Sequence, residues 1–267
     1  MALALEGLSV ARGGRSLLRD VTLALERGVV AILGANGAGK TTLLRTIAGM
    51  YAPSAGRVLL DGVDIRTLAP RERARRMALL EPTEGVLETL SVRDAVSSAR
   101  FPHHRWWEWE PTAEDDVAID EALARTALSG FAARELGTLS AGERQRVWVA
   151  LAIAQRAGVV LFDEPTSHLD LRAAVETLAL VRELADAGTL VVAVLHQLEE
   201  AAAFADRTIV LGEHRILADG PPADALTSDA IARAFDVEIT VERRADGLAF
   251  HRRTTGRTQG LSSAAQR

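Results

Sequence analysis

Nine residues near the start of the chain, Gly34-Ala35-Asn36-Gly37-Ala38-Gly39-Lys40-Thr41-Thr42, restrict its folding more than any other stretch. They follow a short apolar run, Val29-Val30-Ala31-Ile32-Leu33, that reads as a buried strand, and they precede Leu43-Leu44-Arg45-Thr46-Ile47-Ala48, which has helical spacing. Strand, glycine loop and helix in that order suit a phosphate chain. Backbone N–H groups must turn inward, so glycines are needed where φ is positive or the backbone approaches closely, and the helix N-terminus adds its dipole and orphan donors. Lys40 is placed to reach the β- and γ-phosphates, and the Thr41 hydroxyl suits Mg²⁺.

The pattern G-x-x-x-x-G-K-[ST] arises by chance in roughly one chain in a hundred of this length. A second observation is independent of it: Lys40 is the only lysine, every other long basic side chain being arginine. A compact ammonium fits inside a phosphate loop where a wide planar guanidinium does not, so the exception has a chemical reason.

The rest of the composition excludes several classes. With 267 residues, 48% of them hydrophobic, the chain can bury a large core as one domain with a subdomain or as two lobes. A net charge of −5 with dispersed arginines gives no footprint for nucleic acid. The absence of cysteine removes disulfides, thiol chemistry and cysteine-ligated metals, and fits a reducing compartment. No apolar run approaches 18 residues and no leader pattern opens the chain, so the expectation is a cytoplasmic protein whose membrane role requires a partner.

In chain order, Leu3 to Glu26 alternates and turns at Gly13-Gly14, as antiparallel strands do. Arg57 to Gly62 reads as a strand entering a turn, Pro70 starts a short basic helix, and Met77 to Leu80 is a candidate core strand. From Glu88 to Ala157 the character is helical, marking an inserted subdomain. Within it, His103 and His104 stand beside Trp106, Trp107 and Trp109. The histidines lack carboxylate spacing for a metal and read as solvent-facing; the tryptophans read either as a docking surface or as packing.

Ser140 and Glu143 form a capping box, S-x-x-E, opening an apolar helix, and with Ala141 and Gly142 that helix start can also receive a phosphate from outside. Val159 to Phe162 is a continuous apolar run ending in Asp163-Glu164, as in a parallel strand covered on both faces whose C-terminal end meets a ligand crevice. Elsewhere such a pair is a helix cap or a surface turn; with a phosphate loop in the chain, Asp163 suits Mg²⁺ and Glu164 is placed to polarise a water for in-line attack. A second apolar strand, Thr189 to Leu195, ends in His196, which can hydrogen-bond a γ-phosphate. Then come a strand at Thr208 to Gly212, a break at Gly220-Pro221-Pro222, a helix from about Ala225 to Phe235 and a strand from Glu238 to Glu242. From Thr254 onward small polar residues predict a mobile tail.

With these motifs in this order, the chain resembles the ATP-binding subunits of ABC transporters from residue 3 to about 242. Gly34 to Thr42 matches Walker A, Leu139 to Gln145 the signature, Val159 to Glu164 Walker B, Ser167-His168-Leu169-Asp170 the D-loop, and His196 the switch histidine. The resemblance implies an α/β P-loop core, a mostly parallel sheet flanked by helices. An N-terminal antiparallel β subdomain and a helical subdomain at about 88–157 complete one domain over 1–250, with 251–267 as a flexible tail. It implies ATP and Mg²⁺, and a second ATP-binding subunit, most simply an identical copy, closing head to tail. Ser140, Ala141, Gly142 and Glu143 would then complete the partner's ATP site and Asp170 would couple the two sites. It further implies integral membrane permease chains, a substrate-binding protein, no nucleic acid, and a place on the inner face of the cell membrane.

Three positions depart from the family pattern. Arg12 stands where an aromatic residue usually stacks on adenine, and a guanidinium can stack on a base. Glu81-Pro82 stands where the family has a glutamine reaching Mg²⁺ and the permease. Ala141 replaces a commoner glycine in the signature. The wording Thr166-Ser167-His168-Leu169-Asp170-Leu171 and the Gly220-Pro221-Pro222 turn look like importers of iron-siderophore, haem or cobalamin type. Two alternatives stay open at this point: a soluble ABC-type ATPase of an assembly machine, and a weakly hydrolysing nucleotide sensor.

Overall fold

The computed structural model describes residues 2–81, 88–104, 112–245 and 247–252. The chain opens with a hairpin, β1 (Leu3–Arg12) and β2 (Arg15–Leu25), whose two turn residues Gly13 and Gly14 both have positive φ. Such a two-residue turn needs left-handed backbone at both positions, which glycine supplies without strain. After β3 (Gly28–Leu33) and α1 (Lys40–Ile47), β4 (Ala55–Leu60) and β5 (Val63–Asp64) return to the hairpin, giving an antiparallel sheet in the order β2-β1-β4-β5.

Next come α2 (Pro70–Arg76) and β6 (Met77–Leu80), followed among the described residues by the α-helices α3 (Val92–Ser98), α4 (Ala113–Arg125) and α5 (Ala141–Gln155). Then the chain alternates: β7 (Val159–Asp163), α6 (Leu171–Asp186), β8 (Leu190–Val194), α7 (Leu198–Phe204), β9 (Arg207–Gly212) and β10 (Arg215–Gly220). The main sheet runs β10-β9-β3-β8-β7-β6, parallel throughout except for β10, which turns back antiparallel on β9.

The central strands are apolar along nearly their whole length, up to Asp163 at the end of β7, because both faces are covered. Ala31, Leu33, Val160, Phe162, Val191 and Ala193 join one core with α3, α4, α5 and α6. Their neighbours Val30, Ile32, Leu161 and Val192 face the other way, into a core shared with α1 and the antiparallel sheet. The period of two along each strand thus feeds two cores from one run of residues.

The C-terminal part differs from the sequence reading in two ways. The helix expected from Ala225 to Phe235 is split into α8 (Pro222–Ala225) and α9 (Ser228–Phe235), because Thr227 adopts extended backbone and its hydroxyl accepts the Ala230 N–H as the cap of the second helix. The expected strand, β11 (Ile239–Arg244), acquires an unforeseen partner, β12 (Gly247–Arg252). His251 and Arg252, read as tail, pair with Thr240 and Ile239. Leu248 and Phe250 pack on the main core, so the hairpin is held by burial. Arg253 to Arg267 lie outside the described residues, as do Trp106, Trp107, Trp109 and Pro82.

Candidate active site

The loop from Gly34 to Gly39 connects β3 to α1 at the C-terminal end of the parallel strands. Gly34 is locked by contact as well as backbone: a Cβ there would meet the Leu211 carbonyl at 2.4 Å, and one on Gly39 the Leu17 carbonyl at 2.8 Å. Gly37 and Gly39 have φ of 83° and 102°. Gly39 starts α1 with no side-chain cap, which leaves the first-turn N–H groups of Lys40, Thr41 and Thr42 available to anionic oxygens. A cavity of about 250 Å³ opens on them, lined by Asn36, Gly37, Gly39, Lys40, Thr41, Thr42, Leu17 and Glu164. Ala35 and Ala38 complete the loop, the Ala38 N–H bonding to the Ala35 carbonyl at 3.1 Å.

Lys40 is 6% exposed, and its ammonium donates to the Gly34 and Ala35 carbonyls at 2.7 and 3.1 Å. Burial lowers its pKa, while the charges of Glu164 and Asp163 oppose that shift. Asp163, the last residue of β7, is 8% exposed; burial raises its pKa against a hydrogen bond from Thr41. Its Oδ1 is buried with no hydrogen-bond partner among the described residues. A buried carboxylate oxygen left open beside a threonine hydroxyl is a donor set that fits a hard divalent cation, so the residues present suit Mg²⁺.

Glu164 leaves the strand in left-handed backbone, φ 57°, which turns its side chain to the cavity. Its Oε1 lies 2.6 Å from Nε2 of His196, just beyond β8, and its Oε2 accepts the Ser167 hydroxyl at 2.9 Å. Burial pushes the Glu164 carboxyl up, but those two hydrogen bonds and the charges of His196 and Lys40 outweigh it and leave the carboxyl below its ordinary value. Sequence reading missed Ser167 as a partner of Glu164, and also Thr166, whose hydroxyl donates to buried Glu200 at 2.8 Å. The available signal for the second was a pair of glutamates, Glu199-Glu200, directly ahead of three alanines in a short helix.

The structure does not bring every candidate into this cavity. Ser140 to Glu143 stand apart at the start of α5, where the capping box is closed both ways: the Ser140 N–H donates to Glu143 Oε2 at 2.7 Å, and the Glu143 N–H to Ser140 Oγ at 3.3 Å. Gly142 is packed against α6, with a Cβ due to meet that of Ala173 at 3.1 Å. Asp170 caps α6, accepting the Ala173 N–H at 2.8 Å. Arg12, at the end of β1, lies over the Tyr51 ring at 4.2 Å. Glu81 is paired with Arg45 at 2.6 Å, and that guanidinium also donates to the Tyr51 hydroxyl at 3.0 Å.

The two histidines read as solvent-facing are engaged. His103 Nε2 lies 2.9 Å from the Gln155 carbonyl and His104 Nε2 lies 2.9 Å from Asp115, a residue the sequence reading passed over. Among the described residues no group of three or more histidine and acidic side chains could hold a metal, and no helix is long and apolar enough to cross a membrane. A larger hollow of about 850 Å³, lined by Gly28, Asp61, Arg182 and Asp206, lies at the opposite end of the sheet, away from the phosphate loop.

The chain matches the ABC transporter family over residues 18–167. It is 41% identical over 243 residues to a cobalamin import ATP-binding protein of Halobacterium salinarum, a match covering 90% of this chain and 60% of that protein's length. To a hemin import ATP-binding protein of Rhodococcus jostii it is 40% identical over 238 residues, covering 88% and 80% of the two chains. Among solved structures, an ABC transporter described as of metal-chelate type, in an inward-facing conformation, superposes with a TM-score of 0.80 at 26% identity, covering 94% of this chain and 96% of the other. With Walker A, signature, Walker B and switch histidine in order on such a sheet, the chain belongs to the ABC transporter family, among its ATP-binding subunits.

Proposed function

We propose that this chain binds and hydrolyses ATP to energise import, through separate membrane permease chains, of a solute of the iron-siderophore, haem or cobalamin class. The observation that carries the ATPase reading is the convergence, at one end of the parallel sheet, of the Lys40 cage, the open Asp163 oxygen and the Glu164–His196 pair. The solute class rests on the cobalamin and hemin relatives. The reading takes residues 1–250 as one ATPase domain with the helical insertion at 88–157.

In this reading the N–H groups of residues 34–42 and the Lys40 ammonium bind the phosphates. Thr41 and Asp163 would hold Mg²⁺, which supplies charge neutralisation for the β- and γ-phosphate oxygens. Glu164 accepts a proton from the attacking water, and its carboxyl, held below the ordinary value, is ionised and ready at neutral pH. His196 exchanges Glu164 for a γ-phosphate oxygen when ATP enters, which frees Glu164 Oε1 for the water. Arg12 stacks on adenine with Tyr51 behind it. Glu81 and Pro82 occupy the place of the family glutamine, with Arg45 balancing the added carboxylate.

Ser140, Ala141, Gly142 and Glu143 lie outside the cavity of their own chain, which supports their completing the site of a second copy, with Asp170 at the junction. A substrate-binding protein delivers the solute, and the chain sits peripherally on the inner face of the cell membrane.

The test uses Glu164→Gln, expected to trap an ATP-bound dimer, as bait in gently solubilised membranes of its own cells, with co-purifying chains identified by mass. A polytopic membrane chain in stoichiometric amount is the expected result. Recovery of soluble partners alone, or of none, overturns the transport reading.

A further inference from the structure

The two groups assigned to the water and the γ-phosphate sit on neighbouring loops. β7 and β8 are hydrogen-bonded in parallel as far as the Asp163–Val194 pair, and beyond it the ladder ends. The Glu164 and His196 side chains are 37% and 39% exposed, so apolar packing does not set their separation. Glu164 also holds left-handed backbone, which persists only where the surroundings over-determine it.

Beyond the ladder, a buried side-chain bond crosses between the loops. Thr166, two residues past Glu164, donates its hydroxyl to Glu200, four residues past His196 and inside the first turn of α7, at 2.8 Å. The two residues are 9% and 8% exposed. A carboxylate in that position is expensive, since burial disfavours its charged form and leaves it dependent on a donor. Burial indeed raises the Glu200 pKa, opposed by the Thr166 hydroxyl and the charge of His196. An apolar residue would fill the same place at lower cost, so the carboxylate is there for the bond.

We infer that Thr166 and Glu200 are positioning residues for hydrolysis, their buried bond clamping the Glu164 loop to the His196 loop so that both side chains meet one γ-phosphate. This rests on the roles proposed above for Glu164 and His196. Neither clamp residue lines the phosphate cavity, so the clamp acts on turnover and leaves ATP binding alone.

The experiment measures ATPase kinetics and, separately, equilibrium ATP binding on the full chain together with the membrane chains that co-purify with it. Thr166→Val, which removes the hydroxyl and keeps the shape, is expected to lower kcat about tenfold or more, because a loosened reacting geometry is costly in rate. KM and Kd for ATP stay within about twofold, the pattern of an interaction that matters only in the transition state. Thr166→Ser and Glu200→Gln retain a donor and an acceptor and restore most of the rate. Glu200→Ala repeats the loss, and the Thr166→Val/Glu200→Ala double variant is no slower than the slower single, since either change removes the same bond.

Wild-type kcat in Thr166→Val, a KM increase at constant kcat, or losses that multiply in the double variant would each overturn the clamp. Thermal melting reports whether each variant is folded; if Thr166→Val does not fold, the contrast of Glu200→Ala with Glu200→Gln decides. A wild-type complex that binds ATP without hydrolysing it overturns the ATPase reading and the clamp together, whereas hydrolysis unaffected by these variants overturns the clamp alone.

Discussion

In the helical region, Arg100 and Asp115 are 3% and 2% exposed, and at the C-terminal end of the main sheet Lys40 and Asp163 are 6% and 8% exposed. Burial is alike, but the partners are not. Arg100 donates to Asp115 at 2.8 Å and to the Ala154 carbonyl at 2.9 Å. The other Asp115 oxygen accepts the Thr112 N–H and hydroxyl at 2.8 and 2.6 Å and lies 2.9 Å from His104. That cluster is satisfied within the chain and ties the 101–104 turn, α4 and α5 together. Among the described residues Lys40 hydrogen-bonds to loop carbonyls alone, and Asp163 keeps a buried oxygen with no partner. A buried charge that the fold completes is a staple; one that the fold leaves incomplete is an invitation to a ligand.

The largest effect expected at the incomplete region is on rate. Glu164→Gln should lower kcat for ATP by about 10²- to 10⁴-fold, the usual contribution of a positioned base, with ATP affinity retained. An unchanged ATPase rate would remove Glu164 from its assigned role and blur the contrast between the two regions. At the complete region the effect should fall on stability. Asp115→Asn is expected to cost about 3 kcal/mol at neutral pH, as when one partner of a buried pair is removed, with little change in kcat per folded molecule.

The same variant carries a pH signature. Burial acts to raise the Asp115 pKa, but the Thr112 and Arg100 hydrogen bonds and the His104 charge outweigh it and hold the carboxyl well below the usual carboxylate range. A depressed folded-state value means that the stabilisation is complete above the unfolded value, about 4, and is lost as pH falls below it. Melting curves of wild type and Asp115→Asn should therefore converge in acid; a gap that widens there would show that the cluster is not held by the ionised carboxylate.

The smallest effect has the opposite sign. Burial raises the Asp163 pKa, so the ionised carboxylate opposes folding of the nucleotide-free chain at neutral pH. Asp163→Asn should raise the melting temperature of that chain by the equivalent of about 1 kcal/mol or less, and this gain should shrink as pH falls and wild type takes up its proton, at a pH above that of an ordinary aspartate. The upward shift of melting temperature that ATP with Mg²⁺ gives wild type should be lost. Destabilisation of the free chain by Asp163→Asn would place Asp163 with the staples.

Local pattern made much of this legible. The order of Gly34, Gly39 and Lys40 between an apolar run and a helix, and the S-x-x-E box at Ser140, depend on neighbours within a few residues, and both stand in the structure as read. The paired apolar runs ending in Asp163 and His196 announced strands covered on both faces. What was misread or missed depends on distant residues. His103 and His104 look exposed in sequence because Gln155 and Asp115, which engage them, lie elsewhere in the chain. β12 was invisible because Leu248 and Phe250 find their burial on the far-off main core.

The sequence by itself determined which residues could carry the chemistry: one lysine in a glycine loop, an acidic pair and a histidine each closing an apolar strand, and hence the proposal of a phosphate site at the carboxyl ends of a parallel sheet. Only the tertiary structure decided which charged and polar side chains are spoken for. Arg12 on Tyr51, Arg45 on Glu81 and Thr166 on Glu200 join residues that no local pattern connects. Those pairings are set by where the strands place the loops, and a period of two or of 3.6 along the chain carries no information about a side chain more than thirty residues away.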